Sequence, residues 1–199
     1  FAKMGLEPCE RSRYAPLDCV WRERADSECD GNAGGGGRMY VGNYVAASNR
    51  SILKDNDIWH VMNCQDTTSE NYFEGDEAMT YLRFPVAYLR CTGTSNSTTP
   101  MLDQFLPAFS FIDTVLSSGG NVLVHCLAGA HRAGTMGVAY LMYKSGMGLD
   151  EALETAKVAR PIISPFGMLI EILRGLERDL ELDRKETSGL ERRCSAILE

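Results

Sequence analysis

Residues 122 to 135 constrain this chain more than any other stretch. They read Val122-Leu123-Val124-His125-Cys126-Leu127-Ala128-Gly129-Ala130-His131-Arg132-Ala133-Gly134-Thr135. A β-branched, apolar run after the turn signal Gly119-Gly120 predicts a short buried strand, and a helical pattern resumes at Arg132. Cys126 therefore ends a strand, and Arg132 opens a helix. The five residues between them are enough to curl backbone N–H groups around one tetrahedral anion, beside a helix N-terminus whose dipole favours negative charge. Gly129 supplies a positive φ that a residue with Cβ resists. Arg132 adds a planar fork of donors matched to two phosphate oxygens. The same positive field favours the thiolate of Cys126, and a thiolate facing a bound phosphoryl group is a nucleophile in place.

The His125-Cys126-x5-Arg132 segment resembles the signature loop of the cysteine-dependent protein tyrosine phosphatases, and its flanks are most similar to the small dual-specificity branch. The likeness extends from Tyr40-Val41-Gly42-Asn43 and His60-Val61-Met62-Asn63, through Tyr72-Phe73-Glu74 and Phe84-Pro85-Val86, to Arg160, Ser164-Pro165 and Gly167-Met168-Leu169. It covers about residues 39 to 180. The resemblance implies a cysteinyl-phosphate intermediate on Cys126. Charge on the equatorial oxygens would be held by Arg132 and by the amides of Leu127, Ala128, Gly129, Ala130, His131 and Arg132. His125 would orient the loop through hydrogen bonds, and His131 would lie at the pocket rim. No metal or other cofactor is required, because these donors replace a divalent ion. The implied partner is a phosphorylated protein substrate.

Strands alternating with helical patterns predict an α/β fold with a parallel-rich central sheet flanked by helices, as in the protein tyrosine phosphatases, with the loop at a strand's carboxyl end. At 199 residues the chain holds one domain with tails. Residues 1–38 read as an N-terminal extension ending in the linker Gly34-Gly35-Gly36-Gly37, with Tyr14 and Trp21 available as anchors. Residues 39–180 read as the catalytic unit and 181–199 as a polar, frayed tail. Within the unit, strands are expected at Met39-Tyr40-Val41, at 58–63 and at 81–86, with a short helix from Ala46 to Lys54. Thr99-Pro100 reads as a helix cap with proline in the first turn, and Pro107 as a kink or a break. Gly146 stops the helix after the loop, 149–159 forms the next, and Ser164-Pro165 caps the last. His60, among apolar strand residues, reads as structural.

A formal charge of −7 argues against a nucleic-acid or anionic-membrane binder, and no apolar run is long enough to span a bilayer. Seven cysteines, an odd set without Cys-x2-Cys spacing, argue against a zinc site, a thiol redox motif or a secreted disulfide scaffold. They suit an intracellular setting, cytoplasmic or nuclear. Oligomeric state is not legible. Cys64 and Cys91 are candidates to pair with Cys126 on oxidation.

The family's general acid is missing. Counting back from Cys126 reaches Thr94, in a run from Cys91 to Thr99 without a carboxylate. Asp66 and Asp103 are weak substitutes, the latter explained by a helix first turn alone. Ala133 replaces a hydroxyl that usually steadies the departing thiolate, although the plant-type glucan phosphatases resemble this chain there. The expected activity is therefore slow and biased to phosphotyrosine and aryl esters, whose leaving groups need less protonation, with phosphoserine and phosphothreonine as poorer substrates. Two other readings stay open: a phosphate-binding pseudophosphatase acting as an interaction module, and a phosphoglucan phosphatase.

Overall fold

The computed structural model describes residues 15–23, 36–90 and 99–197. Five strands form one sheet: β1 (Leu17–Arg22), β2 (Arg38–Gly42), β3 (Ile58–Asn63), β4 (Thr80–Arg83) and β5 (Asn121–His125). Their spatial order is β1-β2-β5-β3-β4. β2, β5, β3 and β4 are parallel, and β1 alone is antiparallel, at the β2 edge. The parallel pairs require crossovers: helices lie between β2 and β3 and between β4 and β5, whereas β3 and β4 are joined by residues 64–79 without a helix. The central strand β5 reads as a continuous apolar run because both of its faces are covered. Val122 and Val124 enter the core with α3 (Met101–Ser117), α4 (Arg132–Ser145), α5 (Leu149–Ala159) and α6 (Met168–Ile197). Leu123 points to the other side, toward the short helices α1 (Tyr44–Ser48) and α2 (Arg50–Asp55).

α4 is the buried axis of the molecule. Every residue from Ala133 to Met142 is buried, so this helix is apolar on all sides rather than on one stripe. Gly146, with φ +73°, ends it as expected. The stacked rings of Phe105, Phe109 and Tyr143 lock α3 against it, with centroids 5.3 and 4.4 Å apart. His60 meets Phe111 edge-on at 6.4 Å, a packing role.

Several expectations are corrected. The helix predicted over 46–54 is two helices parted at Asn49, whose side chain accepts the amides of Ser51 and Ile52 and so starts α2. α3 begins after Pro100, which takes the N-cap position and has no side-chain hydrogen bond to offer there; Asp179 of α6 accepts the amides of Met101 and Leu102. Pro107 neither ends nor splits α3, and lies on its exposed face. Ser164-Pro165 does not cap α6, which begins at Met168 after Gly167 in the left-handed region, φ +55°. Residues 181–197 are helical rather than a frayed tail, and Arg184 donates to the carbonyls of Met142 and Gly146 at the end of α4. Within the stretch read as an N-terminal extension, residues 17–22 form β1, so Trp21 is part of the sheet; Tyr14 lies outside the described residues.

Candidate active site

β5 ends at His125, Cys126 follows, and α4 opens at Arg132, so the strand-loop-helix junction falls where the sequence placed it. Being central and flanked by β2 and β3, β5 holds the loop's first residue from both sides. The Cys126 amide donates to the Gly42 carbonyl at 3.4 Å, and the Cys64 amide to the His125 carbonyl at 2.8 Å.

The loop is shaped by what its carbonyls do. Leu127 O accepts from the Tyr44 amide at 3.1 Å, and Gly129 O from Arg160 Nε at 2.9 Å. Ala130 O accepts from the Ser164 amide at 3.0 Å, and His131 O from the amide and hydroxyl of Thr135, both at 2.8 Å. The described peptide bonds are all trans, and across a trans bond the next N–H points opposite to the carbonyl. Five donors on four residues outside the loop, Tyr44, Arg160, Ser164 and Thr135, thus turn the amides of Ala128, Ala130, His131 and Arg132 away from those partners. The Gly129 amide reaches Cys126 Sγ at 3.3 Å. Gly129 has φ +67°, and a Cβ there would lie 2.6 Å from the Gly42 backbone and 2.7 Å from Arg160 Nη2. Only glycine fits both the torsion and the space.

Cys126 is 2% exposed, with its sulfur under the loop, and Arg132 is half-buried at the start of α4. Leu127 and Ala128 stand at the exposed lip. His131 lies at the rim, where Nδ1 donates to the Ser164 carbonyl at 2.6 Å and the ring meets the exposed Phe166 edge-on at 4.7 Å. His125 differs from expectation: its ring is fully buried, and neither nitrogen makes a hydrogen bond of ordinary geometry, although the Cys126 main chain lies near enough to act on the ring. The orienting bonds come from its main chain. Burial pushes its pKa down to about 4; the Arg83 charge adds to this, and the Cys126 main chain opposes it. The ring is neutral at physiological pH.

Cys64, a candidate oxidation partner of Cys126, is buried beside this loop. Its thiol is pushed well above the usual range by burial, and then by the neighbouring Cys126, against a smaller pull from Arg132. Asn63 pairs with His125, so Cys64 and Cys126 leave adjacent strands side by side. Cys91 and the rest of the carboxylate-free run through residue 98 lie outside the described residues.

Neither substitute acid gains support. The Asp66 carboxylate accepts the Thr68 hydroxyl at 2.9 Å and its amide at 3.1 Å, which hold its pKa below the ordinary value. A group so held is ionised at neutral pH and lacks the proton to give. Asp103 is exposed in the first turn of α3. Ala133 is buried with no hydroxyl to offer, and the nearby Thr135 hydroxyl is committed to His131 O. Among the described residues no cluster of three or more His, Cys, Asp or Glu side chains could hold a metal. No described helix is long and apolar enough to cross a membrane.

A cysteine just past the carboxyl end of a central parallel strand, followed by a five-residue loop and an arginine that opens a buried helix, is the arrangement of a cysteine-based phosphatase. The family described as dual specificity phosphatase, catalytic domain, matches residues 39–179. The chain belongs to this family. It is similar to dual specificity protein phosphatase 1 of Arabidopsis thaliana, 32% identical over 144 residues, which are 72% of this chain and 68% of that protein. It is also similar to dual specificity protein phosphatase 22-B of Danio rerio, 38% identical over 128 residues, 64% of this chain and 63% of that one. The crystal structure of human DUSP28 superposes with a TM-score of 0.60 at 22% identity, covering 84% of this chain and 96% of that chain, a likeness of fold.

Proposed function

We propose that the protein removes phosphate from phosphoproteins, phosphotyrosine foremost, through a cysteinyl-phosphate intermediate on Cys126. The observation that carries this reading is the outward commitment of four loop carbonyls, to Tyr44 N, Arg160 Nε, Ser164 N and the Thr135 amide and hydroxyl. It leaves the facing amides preorganised for the three equatorial oxygens of a phosphoryl group. The Arg132 guanidinium completes that set as a bidentate donor. Cys126 Sγ attacks phosphorus in line, the S–P bond forms as the P–O bond to the substrate breaks, and water then cleaves the S–P bond to release inorganic phosphate.

In the described residues no carboxylate is placed to protonate the leaving oxygen, and Ala133 offers the departing sulfur no hydroxyl. Turnover is therefore slow and sensitive to leaving-group basicity: phenolates depart readily, whereas alkoxides do not. The free cysteines Cys19, Cys64 and Cys126 fit a cytoplasmic or nuclear setting, where thiols stay reduced. Hydrolysis of an aryl phosphate by wild type and by Cys126→Ser tests the proposal. Activity in the wild type that disappears in the variant supports it. Equal traces in both would make the cup a phosphate-reading module without turnover.

A further inference from the structure

Strand β1 lies outside the residues matched by the family, yet it reaches the loop. Asp18, its second residue, is 8% exposed and ion-pairs with Arg160, 1% exposed, at 2.6 Å. Arg160 caps the end of α5 and spends its donors three ways: Nη1 on Asp18 and on the Ala15 carbonyl at 2.9 Å, and Nε on the Gly129 carbonyl at 2.9 Å. We infer that Asp18 and Arg160 together are positioning residues for phosphate binding, fixing the peptide plane between Gly129 and Ala130 so that the Ala130 amide faces the anion. This rests on the phosphatase reading above.

The physical case is one of rigidity and charge. Guanidinium is planar, so anchoring Nη1 on Asp18 and Ala15 sets the direction of Nε. That direction sets the Gly129 carbonyl, and the trans peptide carries the constraint to the Ala130 amide. Glycine is free on both sides of φ, so without the anchor this peptide can rotate and present an oxygen where the phosphate needs a hydrogen. Without Asp18, moreover, a buried cation is left uncompensated and turns to other acceptors. Fold packing alone does not demand a charged pair here, since an apolar pair of similar volume buries as well.

The test compares wild type, Arg160→Lys and the paired variant Asp18→Leu with Arg160→Met, each checked by thermal unfolding. The paired variant removes both buried charges and leaves neither unmatched. The readouts are competitive inhibition of aryl phosphate hydrolysis by inorganic phosphate, and alkylation of Cys126 by iodoacetamide, a neutral probe. The expected result is an inhibition constant for phosphate raised by about tenfold, the effect of one lost hydrogen bond to a charged group, with alkylation unchanged because the Gly129 amide still faces the sulfur. Folded variants that keep wild-type phosphate inhibition overturn the proposal. So does a loss of phosphate inhibition and alkylation together, in proportion to lost stability, which would make the pair merely structural. If the paired variant does not fold, Arg160→Lys decides by the same readouts; unfolding of both also assigns the pair a structural role. A wild type that neither hydrolyses aryl phosphate nor binds phosphate sinks the phosphatase reading, and this inference with it.

Discussion

Gly129→Ala perturbs the loop at its tightest point. The new methyl would meet the Gly42 backbone at 2.6 Å and Arg160 Nη2 at 2.7 Å, on a residue with φ +67°. A left-handed torsion at a residue with Cβ costs roughly 1–2 kcal/mol, and forcing the overlap apart costs about 1–3 kcal/mol more. A total near 3 kcal/mol lowers the melting temperature by roughly 10 °C in a chain of this size. The larger consequence is chemical. Moving residue 129 off Gly42 and Arg160 displaces both its own amide, which faces Cys126 Sγ, and the Ala130 amide beyond it. Losing one preorganised donor to a developing oxyanion costs about 10² to 10³ in rate. The assay is kcat/KM on an aryl phosphate beside a thermal melt, at a temperature where the variant remains folded. A folded Gly129→Ala protein with wild-type kcat/KM would refute the view that this loop's backbone holds the transition state.

A pH titration of stability reports on His125. Its folded pKa of about 4 lies below the unfolded 6.5, so stability is complete above pH 6.5 and falls as pH drops toward 4, where the unfolded ring takes up a proton first. The loss is about 3 kcal/mol, and urea melts of wild type and His125→Gln between those pH values should differ by a slope that the variant lacks. Peroxide should oxidise Cys126 to a sulfenic acid that condenses with the Cys64 thiol, releasing water; peptide mapping should find this disulfide, and a thiol reductant should restore activity. Activity lost irreversibly in wild type at the same rate as in Cys64→Ser would deny that pairing. Aryl phosphates should be hydrolysed far faster than phosphoserine peptides, with no fall in kcat on the basic side. A bell-shaped profile, or equal rates on both esters, would require an acid that the described residues do not supply.

The loop and its strand-helix frame were legible because every local signal agreed: a β-branched run, a glycine able to take positive φ, and an arginine where helical periodicity resumes. What frames the loop was not legible, since Tyr44, Arg160 and Ser164 act through contacts remote in sequence and two of them act through main-chain amides that carry no signature. β1 was missed for a related reason. Its partner strand follows after an intervening stretch that includes the glycine run, and its six residues sit within a charged segment where Asp18 and Arg22 interrupt the apolar pattern of Leu17, Val20 and Trp21. Asp18 makes sense only opposite Arg160. At the other end, the polarity of residues 181–197 suggested fraying, but residues 181–188 hold no glycine or proline, and Arg184 ties the segment to the end of α4. The split at Asn49 could have been read from its capping preference, which apolar periodicity across 46–54 masked.

The central claim is that Cys126 carries the phosphoryl group. The direct measurement is acid quench of the enzyme during turnover of an aryl phosphate, followed by peptide mass spectrometry. Phosphate should be found on the peptide bearing Cys126, and should be absent from the same peptide of Cys126→Ser. Steady turnover with no phosphate on that residue, or turnover that survives the substitution, would contradict the account.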